Sequence, residues 1–440
     1  MFESALEISV VVLMLGCVAM AWMLARRDRG PRRTAPPEAL LPTSDAYPGP
    51  SAQRFLLRLF VGGFLVRAVG VLVIGLTDAI RQLNLSPDSL RYHREGMAIA
   101  EQMRDGFFNA PNWIDNGWFQ FTGLVYYLFG PNPVYIQLVN IALGALAPLV
   151  VFRLVLAVYR VDTIARVVAL LVAFFPSFVY WSCLMLKDPL SIFSISLLAL
   201  AVVRLRDGFG PAPLIAMTLS LLALLGIREY LFFVCLFLIA ASYFPVEGRR
   251  TVPLLLTLSG VVVLLGTATW FAGFGVLGAD YIRQSHYFDL EYINQSRIAI
   301  SHGSGAFFAA PETAVWGQDV ASTARAALAA VYFFFVSIDL TQIGSARQLM
   351  ALPEILVILC LLPSLVRGLR ASWHHARQQS LPVAVFAFGL LIVYGSAATN
   401  MGAMFRWRMQ ALPFLLTFMV YGVFVHGRGP IYGLLRRMKF

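Results

Sequence analysis

The sequence predicts an all-α polytopic membrane protein with about eleven transmembrane helices. Three observations carry that prediction. The chain has 440 residues, 59% hydrophobic and only 13% charged, against roughly 25% charged in a soluble domain. Apolar runs near the ~20 residues that cross hydrocarbon recur along its length. Basic clusters punctuate those runs at alternate ends, as cytoplasmic loops do. The net charge of +11 therefore marks cytoplasmic flanks, and no nucleic-acid partner is expected. Lysine appears only at Lys187 and Lys439. The four cysteines (17, 183, 235 and 360) lie in apolar runs without CxxC or metal spacing and read as small core hydrophobes.

The elements follow in order. "ISVVVLMLGCVAMAWML" follows an acidic "MFESALE" and precedes a basic "ARRDRGPRR". Residues 1–25 are thus expected to be a retained helix running from outside to inside, not a cleaved signal. Residues 26–54 form a Pro/Arg-rich cytoplasmic linker. The main transmembrane module occupies 55–430. Its first span, about 55–78, runs outward into a long outer loop, 79–132. Spans near 133–157, 165–185, 190–205, 212–227, 229–245 and 251–272 then alternate in direction. "RVDTIAR", "RLRDG" and "VEGRR" are basic and belong inside, while "LKDP" and the "REY" junction fall outside. A second outer loop covers 273–346. Spans near 348–367, 382–398 and 409–425 complete the module, with "RGLRASWHHARQQ" and the basic tail 431–440 in the cytoplasm. The apolar segment 324–340 would invert everything after it if it crossed, so it is expected to be re-entrant or interfacial.

This topology gathers the unusual residues at one membrane face. "SPDSLRYHREG" (86–96) opens an amphipathic helix with Asp88 near its start. Asp88 can serve as a cap, and it can equally serve as a general base, which must be ionised and within reach of the proton it removes. Asp115 lies in the same loop. Lys187 and Asp188 occupy the next outer turn, Arg228 and Glu229 a third, and Arg406 and Arg408 flank Trp407 in the last. Singly, each cation reads as a snorkelling flank residue. Jointly, Lys187, Arg228, Arg406 and Arg408 suit an anionic lipid headgroup, since phosphate is matched by arginine forks and by lysine as a point charge. The six histidines never form HxxxH or HxH, so no histidine metal site is indicated and no cofactor is required. A hard divalent cation on acidic oxygens remains open. No Walker A, GxSxG or HExxH occurs.

From about 55 to 430 the chain resembles the GT-C superfamily of polytopic glycosyltransferases, in particular bacterial family-39-like enzymes that use polyprenyl-phosphate sugars. The resemblance rests on "PDSLRYHREGMAIA", "GWFQFTGLVYYLFGPNP", "FFPSFVYWSCLMLKDPL", "LMALPEILVILCLLPSLVRGL" and "NMGAMFRWRMQALPF". It implies that Asp88, at the position of the family's first-loop aspartate, is the base that deprotonates the acceptor hydroxyl. It also implies that Lys187, Arg406 and Arg408, with Arg228, bind the donor phosphate. Many members carry an adjacent acidic pair; here Ser89 follows Asp88, so a second acid would come from Asp115 or Asp188. Tyr92, His93, Trp113 and Trp118 would line the sugar or acceptor pocket. The implied activity is inverting transfer of a sugar from a polyprenyl-phosphate donor to an envelope glycan, lipid or protein. It would occur at the outer face of the inner (plasma) membrane. Two other readings use the same residues: a polysaccharide polymerase or ligase with a diphosphate-linked donor, and a transporter or flippase for lipid-linked sugars. The transporter reading expects matching halves and midplane ionisable residues.

Overall fold

The computed structural model describes residues 50–76, 87–106, 117–243, 320–336, 346–397 and 401–428, with isolated positions between 266 and 298 and at 432–433. All regular structure among the described residues is helical. The helices are α1 (Pro50–Leu76), α2 (Pro87–Arg104), α3 (Gly117–Phe129), α4 (Pro133–Tyr159), α5 (Asp162–Phe174), α6 (Pro176–Ser182) and α7 (Asp188–Asp207). They continue with α8 (Pro211–Ile227), α9 (Glu229–Tyr243), α10 (Val320–Val336), α11 (Ala346–His375), α12 (Arg377–Ala397), α13 (Met401–Trp407) and α14 (Leu412–His426).

Five helices among the described residues are long and apolar enough to cross a membrane: 51–75, 133–159, 188–207, 351–375 and 377–395. Two bent pairs, α5 with α6 (50°) and α13 with α14 (68°), could each make one more. The spans expected at 212–227 and 229–245 are helices of 17 and 15 residues. At 1.5 Å per residue they reach only about 25 and 22 Å, short of the ~30 Å of hydrocarbon. The expected spans in 1–25 and 251–272 lie outside the described residues. The segment at 324–340 is described up to Val336 and forms α10, also 17 residues long.

Local chemistry sets several boundaries. Asn132 caps α4 through its side chain, which accepts from Val134 N at 3.0 Å, and Pro133 supplies the first turn. Arg160 ends α4 in the left-handed region, at φ 57°. Pro176 follows the α5 break and leaves Phe175 extended. On α1 the inward positions 56, 59, 63, 67 and 74 fall at steps of three, four, four and seven residues, while Leu57, Leu65, Val69 and Leu72 stay exposed as an apolar stripe.

One expectation is corrected. The spans expected near 348–367 and 382–398 extend into "RGLRASWHHARQQ", because α11 runs through to His375 and α12 starts at Arg377. Tertiary packing holds that end helical: Ser372 Oγ lies 2.7 Å from Tyr159 OH, and Tyr159 stacks on Tyr421 at 4.0 Å between ring centroids.

Helices α4, α5, α7 and α14 form the interior, with α1 and α7 against α4 and α11 against α14. The α11–α14 crossing is backbone on backbone. A Cβ at Gly368 would collide with Phe418 O, and one at Gly422 with Ser364 O. Small residues permit such approach between helices in lipid. Gly368→Ala is therefore expected to exceed the ~1–3 kcal/mol of ordinary overpacking, because backbone cannot rotate away. A lowered unfolding temperature and reduced monodisperse yield in detergent would show it. An unchanged midpoint would refute this crossing.

Candidate functional site

Helix α2 places Asp88 in its first turn and docks along α3. The two approach closely because Gly96 faces Thr122 and Gly123 faces Ile99, where any Cβ would clash. Helix α7 starts at Asp188, followed by Pro189, and Lys187 at its cap is half-buried. Arg228 alone links α8 to α9. Arg406 lies in α13, just before the chain bends into α14.

These four segments converge. Arg406 Nη1 donates to Asp88 Oδ2 at 2.5 Å, and its Nε donates to Asp188 Oδ2 at 2.5 Å. Arg228 Nη2 donates to Asp188 Oδ1 at 2.6 Å, and its Nη1 to Tyr230 OH at 2.8 Å. The Arg406 guanidinium also stands 5.9 Å from the Trp181 ring centroid. The two carboxylates differ in access: the Asp188 side chain is 0% exposed, that of Asp88 49%. Asp188 is thus a buried strut between two arginines, whereas Asp88 meets solvent with one oxygen held. As the second acid proposed from sequence, Asp188 has both oxygens engaged.

Arg408 does not join this network. It is fully buried, donates to Glu354 Oε1 at 2.7 Å, and reaches the carbonyls of Phe334 and Phe335. Glu354 Oε2 in turn accepts from Ser177 N at 2.9 Å. The expectation that Arg408 snorkels toward a headgroup is corrected: two positions beyond Arg406, it faces a different side of the chain.

Of the expected pocket residues, Tyr92 is buried against Trp118 and Phe119, with ring centroids 6.4 and 5.3 Å away. Burial pushes its hydroxyl up to about 12, with Arg406 pulling the other way. Trp118 is buried and anchors the α2–α3 dock instead of lining an open surface. His93 is partly buried, its Nδ1 2.8 Å from Tyr126 OH, and burial holds its imidazole below the usual histidine value. Trp113 and Asp115 lie outside the described residues. Among the described residues no group of three or more His, Cys, Asp or Glu is placed to hold a metal ion.

Sequence reasoning passed over Glu354 and Arg67, both buried. The available signal was an ionisable residue in the middle of an apolar run, in "ALPEILVIL" and "FLVRAVG". Comparison with known proteins returns no matching family and no matching curated protein.

Proposed function

We propose that this chain is a membrane glycosyltransferase of the GT-C type. It would move a sugar from a polyprenyl-phosphate donor to a cell-envelope acceptor at the extracytoplasmic face. One observation supports this most: an accessible carboxylate, Asp88, stands at the rim of an arginine network assembled from four distant segments. In the proposed reaction Asp88 takes the proton of the acceptor hydroxyl, and the acceptor oxygen attacks the anomeric carbon. The bond from that carbon to the phosphate oxygen breaks, its electron pair leaves with the polyprenyl phosphate, and configuration inverts. Arg406 and Lys187 stabilise the charge gathering on the leaving phosphate. Arg228 acts by positioning Asp188 and, through it, Arg406; Arg408 is left out of the phosphate-binding set.

The test is transfer by the full chain in nanodiscs, with radiolabelled sugars on polyprenyl monophosphate and on polyprenyl diphosphate. Transfer from the monophosphate donors supports the proposal. Transfer from diphosphate-linked oligosaccharides alone replaces it with the polymerase or ligase reading. Vesicle translocation of the donor without transfer replaces it with the transporter reading.

A further inference from the structure

Arg67 sits in the middle of α1, about 12 Å along the helix from Gly75 at the end of the span. It is 0% exposed. Its Nε donates to Ser182 Oγ at 2.8 Å and its Nη1 to the Gly63 carbonyl at 3.0 Å, so both contacts are to neutral oxygens. Nη2 is buried and has no hydrogen-bond partner among the described residues. The side chain passes over Gly144, where a Cβ would stand 2.9 Å from Nε. An arginine cannot escape burial by giving up its proton, and a charge placed at this depth is costly. A buried cation with one unused fork nitrogen is what an oxyanion ligand would complete.

Beside it lies a small cavity of about 10 Å³, lined by Arg67 with Phe178, Trp181, Asp188, Ile192 and Met409. Arg67 and Asp188 of the arginine–carboxylate network thus line the same cavity. Asp188 also faces it, but Arg228 and Arg406 already match that charge. The free width is about that of one water molecule. A phosphate entering must push back an apolar wall side chain such as Ile192 or Met409.

We propose that Arg67 and this cavity form the membrane-embedded half of an anion site that takes the phosphate of a lipid-linked ligand, with Asp188 of the Asp88–Arg406–Asp188 network on the cavity wall. The proposal rests on the polyprenyl-phosphate reading of the same site. Ser182 and Gly63 fix the guanidinium plane, and Nη2 supplies the charge-assisted hydrogen bond. The apolar walls suit a phosphate carried on a hydrocarbon chain.

Native mass spectrometry of the full chain in phosphatidylcholine nanodiscs tests this, with undecaprenyl phosphate as probe and undecaprenol and inorganic phosphate as controls. The wild type is expected to hold the lipid phosphate more tightly than the alcohol. Arg67→Gln should weaken the lipid phosphate about ten- to hundredfold and leave the alcohol unchanged. Arg67→Lys should fall between. If Arg67→Gln fails to fold, Ser182→Ala keeps the charge and frees its plane, with an expected loss of about three- to tenfold. Full binding by Arg67→Gln, or by Ser182→Ala where that variant stands in, overturns the site and leaves the donor reading intact. No binding of undecaprenyl phosphate by the wild type overturns both. Equal, Arg67-dependent binding of inorganic phosphate overturns the assignment to a lipid.

Discussion

Asp88→Asn is expected to slow sugar transfer by about 10²–10⁴-fold and to leave the unfolding temperature nearly unchanged. Asp188→Asn is expected to lose both activity and stability. The contrast follows from burial. Asp88 makes one ion pair, with its side chain half exposed, and pairs of that kind contribute about 0–1 kcal/mol. Asp188 is fully buried and carries Arg228 and Arg406 on its two oxygens. Removing its charge takes the carboxylate from the buried Arg228 and leaves Arg406 with Asp88 alone, a loss of about 3–5 kcal/mol. Asparagine keeps the shape in both variants but removes the charge and turns one acceptor oxygen into a donor. Transfer rate and thermal unfolding on one preparation separate the two roles. A stable Asp88→Asn protein with full transfer would move the base elsewhere, with Asp115 next. An Asp188→Asn protein as stable as the wild type would show that the buried strut is not what positions Arg406.

How legible this arrangement was depended on the range of the signal. The start of the helix beside Asp88 and the near loop-free joint at Arg228 are written in local chemistry, and the structure has both. Reading alternation along the chain placed Asp88, Asp188, Arg228 and Arg406 at one membrane level, and these four side chains do meet. Their pairing was not legible, because which carboxylate an arginine takes depends on side-chain placement between helices far apart in sequence. The fate of Arg408 was partly available. Residues two apart on a helical turn do not share a face, so Arg406 and Arg408 could not both address one ligand from a helix. What hid this was the expectation that "FRWRMQ" is an open turn, when it is α13 followed by a 3₁₀ turn, with Arg408 buried. The helical continuation through "RGLRASWHH" was hidden for the same kind of reason, since the Ser372–Tyr159 contact spans more than two hundred residues.

The buried Arg408–Glu354 pair carries the second large effect. Glu354→Gln alone is expected to destabilise the protein by about 3–5 kcal/mol, since it leaves the fully buried Arg408 without a counter-charge. Arg408→Met alone should do comparable harm by stranding the carboxylate. The double variant, Glu354→Gln with Arg408→Met, should recover most of the loss. Glutamine still offers an oxygen to Ser177 N at the head of α6, whose loss would otherwise cost about 1–3 kcal/mol. Methionine fills much of the space of the arginine stem. Thermal unfolding of the four proteins completes a double-mutant cycle, and a coupling near zero would refute the pair. The same four proteins decide what Arg408 is for. If it only joins the 3₁₀ turn after α13 to α11 and to the α5–α6 break, sugar transfer should return with stability in the double variant. If Arg408 instead holds the donor phosphate, the double variant should be stable and inactive. Its full burial and its carboxylate partner favour the first outcome, which would leave phosphate recognition to cations nearer Asp88.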